Sequence, residues 1–520
     1  MNERWIRCLR SPQEWIAWAV FLGATFLVVV YPFLQTPHPP ITDLPFHAAH
    51  TSIFRHYLDS SWGFRDQFEL FPFQVPYLTS YLLGAALALV FPITWAVKLS
   101  SIVMLLFLPA GLGTLRWGMG RNPIGGGLAL VLVWSQLTHW GFLNYVGALG
   151  VYAACLGVAL HTLGHPSLGS QITLFSLLTL LFFTHIYRLP FALLGIAGAC
   201  LVMYPGGGRP RSILLPWLGG CGLLGLWLLL RGPTLAPEIR LELAWERLTE
   251  IRTHFYDSFV GAAARDEERA IAWSLAILGG LGGAAAIISW LPGKSRAGSQ
   301  QRWLRWSVLL VFILCAGHLL AYLLLPMRLG EWWMVYPREA IAAGFIALAL
   351  VPDLPPGRWS TLLYSSVIAI STLPMGSHVA TQWRRFHKIN ADFRHILEEV
   401  PPRSRILYLI YDHRGAQKRH SAFVHMPAWI QAEKGGSLSF HFAGWKLFPV
   451  QYRAEGEHPP PVHRDWEWRP QDFRAHVHAP YFDTFLVRHQ LDPLPMLRSI
   501  PNLRLVKHEG TWWLFTRVRP

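Results

Sequence analysis

Apolar residues run through most of this chain in blocks close to the ~20 residues that a helix needs to cross ~30 Å of hydrocarbon. The blocks are 14–34, 95–115, 124–140, 144–162, 170–186, 188–204, 213–230, 268–290, 306–325, 338–352 and 359–375. They predict about eleven membrane-spanning helices. One more apolar block, 75–91, would reverse the side of every later loop if it crossed. It is therefore expected to be re-entrant or to lie along the membrane surface, with a twelve-span arrangement as the alternative. Polar sequence is confined to 35–74, 231–267 and the stretch from about 376 onward. Within the second of these, Leu243, Trp245, Leu248 and Ile251 recur at helical spacing and predict a surface helix.

Beyond 376 the pattern changes to short alternating runs. A helix over 381–399 ends before Pro401-Pro402, and strands are expected near 405–411, 437–442, 482–487, 503–508 and 512–518. Helices at 421–433 and 493–499 separate them, and Glu509-Gly510 reads as a hairpin turn. The fold class that follows is a polytopic α-helical membrane protein of about 11–12 transmembrane helices, residues 1–375, with a C-terminal soluble α/β domain, residues 376–520.

Composition agrees: 52% of the 520 residues are hydrophobic and only 14% charged. No small-residue cleavage site follows the first apolar block, which reads as an uncleaved anchor. A net charge of +15 raises the question of nucleic acid, yet Lys and Arg are scattered over short loops without a basic tail or stripe. The positive-inside bias and anionic lipid account for them better. With Arg4, Arg7 and Arg10 in the cytoplasm, eleven crossings put Arg116, Arg121, Arg209, Arg211, the stretch 294–305 and Arg358 on that same side. The loops 35–74 and 231–267 and the tail are then exported. Cys8, Cys155, Cys200, Cys221 and Cys315 lie in apolar segments or beside the N-terminus and offer neither a disulfide framework nor a zinc cluster.

Chemistry-bearing residues gather at predicted span ends on the exported side. Thr42-Asp43-Leu44-Pro45-Phe46-His47 opens an amphipathic helix after the first span, with Asp43, His47 and His50 on one face. An Asp at that position serves equally well as an ordinary helix cap. His139 and Asn144 flank one break, His185 and Arg188 another, and Arg328, Glu331 and Arg338 lie between two late spans. Charge beside a bilayer is costly and tends to line a cavity or bind something, although snorkelling or mutual pairing would also explain each residue singly. His318 and Lys98 read as packing or lipid-facing anchors. A carboxylate facing several cations is what transfer from a lipid-linked phosphate needs: the acid removes a proton from an acceptor hydroxyl, and the cations neutralise the departing phosphate.

Those short patterns, together with Phe142-Leu-Asn-Tyr, Thr184-His-Ile-Tyr-Arg and Pro337-Arg338, resemble the GT-C superfamily of polyprenyl-phosphate-sugar-dependent glycosyltransferases, the class that includes protein O-mannosyltransferases and aminoarabinose transferases. The resemblance implies a sugar moved from a polyprenyl-phosphate donor to an envelope glycan, lipid or protein, outside a bacterial inner membrane. Asp43 would be the general base, His47 its orienting neighbour, and His185, Arg188, Arg328, Glu331, Arg338 and Asn144 would bind substrate. Many such proteins carry paired acids in the first loop, whereas Leu44 follows Asp43 here. Asp66 and Glu69 are the candidates for the second carboxylate, and a divalent cation, Mg or Mn, is the cofactor the resemblance leaves room for. A non-catalytic scaffold of the same fold and a lipid or solute transporter are the rival readings.

Other features carry less. His476 and His478 would share one strand face, which is two ligands short of a zinc site. Trp466/Trp468 and Trp512/Trp513 suit core packing as well as sugar stacking. The glycines at 124–127 and 205–208 lack the context of a phosphate loop, and Gly279–Gly283 lies inside a span, so turns or tight helix contacts are expected there.

Overall fold

The structure, a computed structural model, describes residues 12–230, 241–255, 262–290, 298–330, 332–354, 359–414, 421–456, 458–463 and 465–518. Arg4, Arg7, Cys8, Arg10, Lys294, Glu331 and Arg358 lie outside the described residues.

The first span, α1 (Pro12–Leu34), leads through a short loop to α2 (Leu44–His56) and α3 (Thr79–Leu87). At 1.5 Å per residue, the 9 residues of α3 reach about 13 Å, far too little to cross a bilayer. Then come α4 (Ile93–Gly118), α5 (Leu143–Gly164), α6 (Leu168–Thr184), α7 (Arg188–Gly206), α8 (Pro210–Leu230), α9 (Ala262–Trp290), α10 (Gly298–Leu324), α11 (Val335–Ala347) and α12 (Ser360–Ile389). Among the described residues, 7 of these helices, α1, α4, α5, α7, α8, α10 and α12, are long and apolar enough to span a membrane. Leucines stand outward on them, with Leu194, Leu201, Leu215, Leu229 and Phe312 largely exposed, a surface that suits lipid and not water. The molecule is a polytopic helical protein built for a membrane.

Of the eleven predicted spans, 124–140, 170–186, 268–290 and 338–352 are not among the seven, and 359–375 is longer than expected. The block 124–140 is a buried 3-10 segment, Pro123–Leu132, followed by a short helix, Gln136–Trp140. Gly125 and Gly126 let it press against the Arg116 side chain and the Pro109 carbonyl of α4, where a Cβ would meet atoms at 2.2 Å. The block 338–352 is only 13 helical residues, and the last block continues as one helix through Pro374 to Ile389.

Helices α4 and α5 meet backbone to backbone. A Cβ at Gly111 would lie 1.9 Å from the Gly150 carbonyl oxygen, one at Gly150 2.0 Å from that of Phe107, and one at Gly157 2.3 Å from that of Thr114. Small residues at such a crossing allow the dispersion contacts that hold helices together in lipid. Gly279, Gly280, Gly282 and Gly283, by contrast, have nothing within 4 Å of a built Cβ, so among the described residues the tight contact expected there is not found.

One face of the bundle gathers 116–122, 162–165, 206–211 and 350–353. Arg116 donates to Asp353 at 2.5 Å and to the Val351 carbonyl at 2.8 Å, Arg209 N reaches Leu163 O at 3.0 Å, and Trp303 reaches Gly118 O at 3.0 Å. The opposite face carries the loop 35–74 and the tail.

In the tail, β2 (Arg405–Ile410) lies parallel to β3 (Ser437–Leu438) and β5 (Thr484–Arg488), and β5 continues antiparallel through β7 (Trp512–Arg517) to β6 (Leu503–Glu509). The hairpin turns at Gly510, whose φ is +56°. The two central strands are buried almost throughout, as parallel strands covered on both faces must be. Helices α13 (Ala391–Glu399) and α14 (Ala428–Lys434) complete this unit. The predicted strand 437–442 ends after Leu438, and Ala475–His478 is an exposed helical turn, so His476 and His478 do not share a strand face.

Several contacts fasten the tail to the rest of the molecule, two of them extensive. Strand β1 (Phe68–Leu70) of the first loop pairs antiparallel with β4 (Val450–Tyr452), and α2 packs on α14, with Phe46 set among His425, Phe440, His441 and Phe442 beside it.

Gly150→Ala is expected to destabilise the protein by roughly 1–3 kcal/mol, as overpacking does. Gly279→Ala, in open space, is expected to be neutral or mildly stabilising. Thermal unfolding in detergent compares the two.

Candidate active site

Asp43 is positioned by backbone. The amides of Thr42 and Asp43 donate to the carbonyls of His139 at 3.0 Å and Trp140 at 3.1 Å, which laces the entry to α2 onto the turn before α5. That turn needs a glycine: φ of Gly141 is +103°, and a Cβ there would stand 2.8 Å from Asp43 Cβ. Asp43 occupies the N-cap position of α2 yet makes no side-chain cap bond. Its carboxylate faces a cavity instead, with the positive end of the α2 dipole beside it. Asp43 Oδ1 lies 3.0 Å from Nδ1 of His425, a tail residue, at ion-pair distance but without hydrogen-bond alignment.

His47 lines the same cavity one turn along. Its Nε2 donates to the Gly141 carbonyl at 2.9 Å, which fixes the tautomer, and its Nδ1 is 2.8 Å from the Tyr81 hydroxyl. Burial lowers its pKa below the usual histidine value, outweighing the nearby Asp43, so the ring is a neutral, immobilised wall. The imidazole that approaches the Asp43 carboxylate is that of His425, where His47 was expected. His50 is buried among Tyr81, His441 and Phe448, away from the cavity, and burial pushes its pKa well down.

Across the cavity stands Arg338, 5% exposed. Its guanidinium lies over Phe142 at 4.8 Å and Tyr145 at 5.2 Å, donates to the Trp333 carbonyl at 3.0 Å, and has the His185 ring 3.4 Å away. Its Nε has no partner, and among the described residues no carboxylate lies within ion-pair distance. Arg328 is exposed and lines the same space.

Arg188 differs, although it was expected to touch phosphate. It is fully buried and grips both oxygens of Glu339, which also accepts from Tyr187 at 2.9 Å and sits 2.8 Å from His318 Nδ1. Tyr152 closes the chain at 3.1 Å from His318 Nε2, so His318 is a network member and not a lipid-facing anchor. Arg188 also donates to the Tyr145 hydroxyl, which donates to the Arg338 carbonyl at 2.7 Å. Adjacent residues on α11 thus face opposite ways. Glu339 is spent on neutralising Arg188, and Arg338 is left to the cavity.

The cavity measures about 420 Å³. Asp43, His47, Asn144, His185, Arg328 and Arg338 line it, whereas Arg188 does not. Asp66 and Glu69 also stay outside: Asp66 is exposed in the turn Phe64–Gln67, and the period of strand β1 buries Phe68 and turns Glu69 outward. Further carboxylates come from the tail, as Asp465 and Glu467. Tyr77, Trp140, Trp332, Trp333, Trp445 and Trp468 supply aromatic walls. The alternation Asp465-Trp466-Glu467-Trp468 was the available signal for this tail segment. Only half of its tryptophan pair is at the site, since Trp466 is 2% exposed and belongs to the core. Trp512 is likewise buried in the core, and Trp513 stacks on His508 at 3.5 Å.

Among the described residues no group of three or more His, Cys, Asp or Glu is placed to hold a metal ion. The side chains at the cavity form an acid-lined half from first loop and tail, with Asp43, Asp465 and Glu467, and a cationic half from the membrane unit, with Arg328 and Arg338. Comparison of the chain with protein-family models and with curated proteins finds no match to either. Fold and site together define a polytopic helical membrane protein with an aromatic-walled cavity, set with a few charged side chains, shared between its helices and its tail.

Arg188→Met strands Glu339 in the core and is expected to cost roughly 3–5 kcal/mol. Arg338→Met removes a buried cation that has no carboxylate partner among the described residues and is expected to be neutral or stabilising. Thermal unfolding of the two variants in the same detergent checks the contrast.

Proposed function

We propose that the protein is a GT-C-type glycosyltransferase of a bacterial inner membrane. It moves a sugar from a polyprenyl-phosphate donor to a cell-envelope acceptor on the extracytoplasmic face. The observation that carries this reading is Arg338: a buried guanidinium at a cavity wall, lacking a carboxylate among the described residues, is a standing site for an anion. A lipid-linked phosphate, entering beside apolar helices, supplies that anion and would be neutralised by Arg338 with Arg328 and His185 near it.

The reaction follows from the two halves. Asp43 takes the proton of an acceptor hydroxyl, and that oxygen bonds to the anomeric carbon of the donor sugar. The bond from the anomeric carbon to the phosphate oxygen breaks, and its electron pair leaves with the polyprenyl phosphate. Arg338 stabilises the charge that develops there. The His425 ring lies beside Asp43, and Trp140, Trp333, Trp445 and Trp468 offer flat faces for sugar rings. Sidedness is in keeping with this reading, because Arg116, Arg121, Arg209 and Arg211 gather on the face opposite the tail, as the positive-inside bias expects of a cytoplasmic face.

Purified full-length protein in nanodiscs is expected to bind polyprenyl phosphate at least tenfold more tightly than polyprenol, a difference on the order of 1.4 kcal/mol that Arg338→Met abolishes. It is also expected to release polyprenyl phosphate from at least one of a panel of polyprenyl-phosphate-linked hexoses and pentoses, at a rate that falls about 100-fold or more in Asp43→Asn. Equal binding of phosphate and alcohol would overturn the donor assignment. Tight phosphate binding with release unaffected by Asp43→Asn would leave a non-catalytic scaffold.

A further inference from the structure

The tail does more than cover the cavity. The 3-10 turn Trp466–Trp468 is anchored by Trp466, buried in the core beside β2, and this sets the next two side chains against the cavity. Glu467 is 5% exposed, it lines the cavity that Asp43 lines from the first loop, and its Oε2 has no hydrogen-bond partner. A buried carboxyl oxygen without a partner is expensive to maintain, so a ligand group at that position would offset a real cost.

We propose that Glu467 is the sugar-recognition carboxyl of this site, hydrogen-bonding a hydroxyl of the carbohydrate beside Asp43, so that the substrate pocket is complete only when the tail is docked. This rests on the donor reading above and specifies which part of the molecule reads the sugar. The flanking Trp468, also at the cavity, provides the apolar face that a sugar ring stacks on while its hydroxyls meet polar groups.

The protonation state suits the task. Burial, with Asp465 and Asp43 adding to it, pushes the Glu467 carboxyl up to about 8. At neutral pH it is then mostly a carboxylic acid, able to donate as well as accept. The titratable groups facing it are Asp43 ahead of α2, Asp465 in its own turn, Tyr408 on β2, His413 just after β2 and His425 across the cavity. Burial holds the Tyr408 hydroxyl well above its usual range and His413 below its own, so neither changes charge near pH 8. As pH rises through about 8 the Glu467 proton is lost, and with it the donated hydrogen bond.

The test measures binding, so it does not depend on turnover. Full-length protein in nanodiscs is titrated with polyprenyl phosphates carrying glucose, mannose or a pentose, each against sugar-free polyprenyl phosphate, between pH 6 and pH 9. For at least one sugar the wild type is expected to show an affinity gain that fades above pH 8. Glu467→Ala is expected to lose about tenfold of that gain, in line with one hydrogen bond to a buried group. Glu467→Gln, which keeps a donor that does not titrate, is expected to recover part of the loss and to flatten the pH dependence. All variants should bind sugar-free polyprenyl phosphate like wild type, which also shows that they are folded. The proposal fails if no sugar adds affinity, if Glu467→Ala keeps the gain, or if Glu467→Gln retains the alkaline decline. Failure of wild type to prefer polyprenyl phosphate over polyprenol is a different result, and it removes the donor reading itself.

Discussion

Charge that leaves water must find a partner, and around the cavity that constraint decides where each helix goes. Removing an ion from water costs several kcal/mol, repaid only by good geometry. Arg188 and Glu339 meet it together: they are fully buried, fork to fork, with Tyr145, Tyr187 and His318 completing the coordination. This pair ties α7, α5, α10 and α11 at one level. Because Glu339 is committed there, the residue before it in the same helix turns its guanidinium the other way, into open space lined by aromatic rings.

The other half of the site depends on a close backbone approach. Gly141 brings the turn before α5 against Asp43, and the amides of Thr42 and Asp43 are used up on the carbonyls of that turn. The carboxylate is then oriented by what its backbone touches, which is why it can sit at a helix start without capping it. The tail is held to the same loop by β1–β4 pairing and by Phe46, so first loop, membrane unit and tail converge on one volume. An acid-lined wall opposite a cationic wall, with tryptophans between, is a division of labour suited to a substrate carrying a phosphate at one end and hydroxyls at the other.

Much of this was legible in the chain. Hydrophobic blocks of membrane length marked the bundle, and the switch to alternating runs after 376 marked a strand-containing tail whose β2, β5, β6 and β7 fall within a residue or two of their expected places. Asp43, His47, Asn144, His185, Arg328 and Arg338 were readable as polar residues at the ends of apolar blocks, and all six line one cavity. Periodicity failed where an apolar run was not a simple span: the glycines of 125–127 support a 3-10 segment pressed onto α4. The block 75–91, expected not to cross, holds only the short helix α3.

Sequence by itself determined that most of this molecule lives in lipid, because the free energy of transferring ~20 apolar residues follows from composition and order alone. It could not tell Arg188 from Arg338, since what separates them is whether a carboxylate distant in the chain arrives, and Glu339 does so only for the first. Nor could it join Asp43 to His425 and Glu467, hundreds of positions later, because that proximity is created by strand pairing and ring packing between first loop and tail. Local energetics are written along the chain, whereas the pairing of remote charges is decided only when the helices have closed.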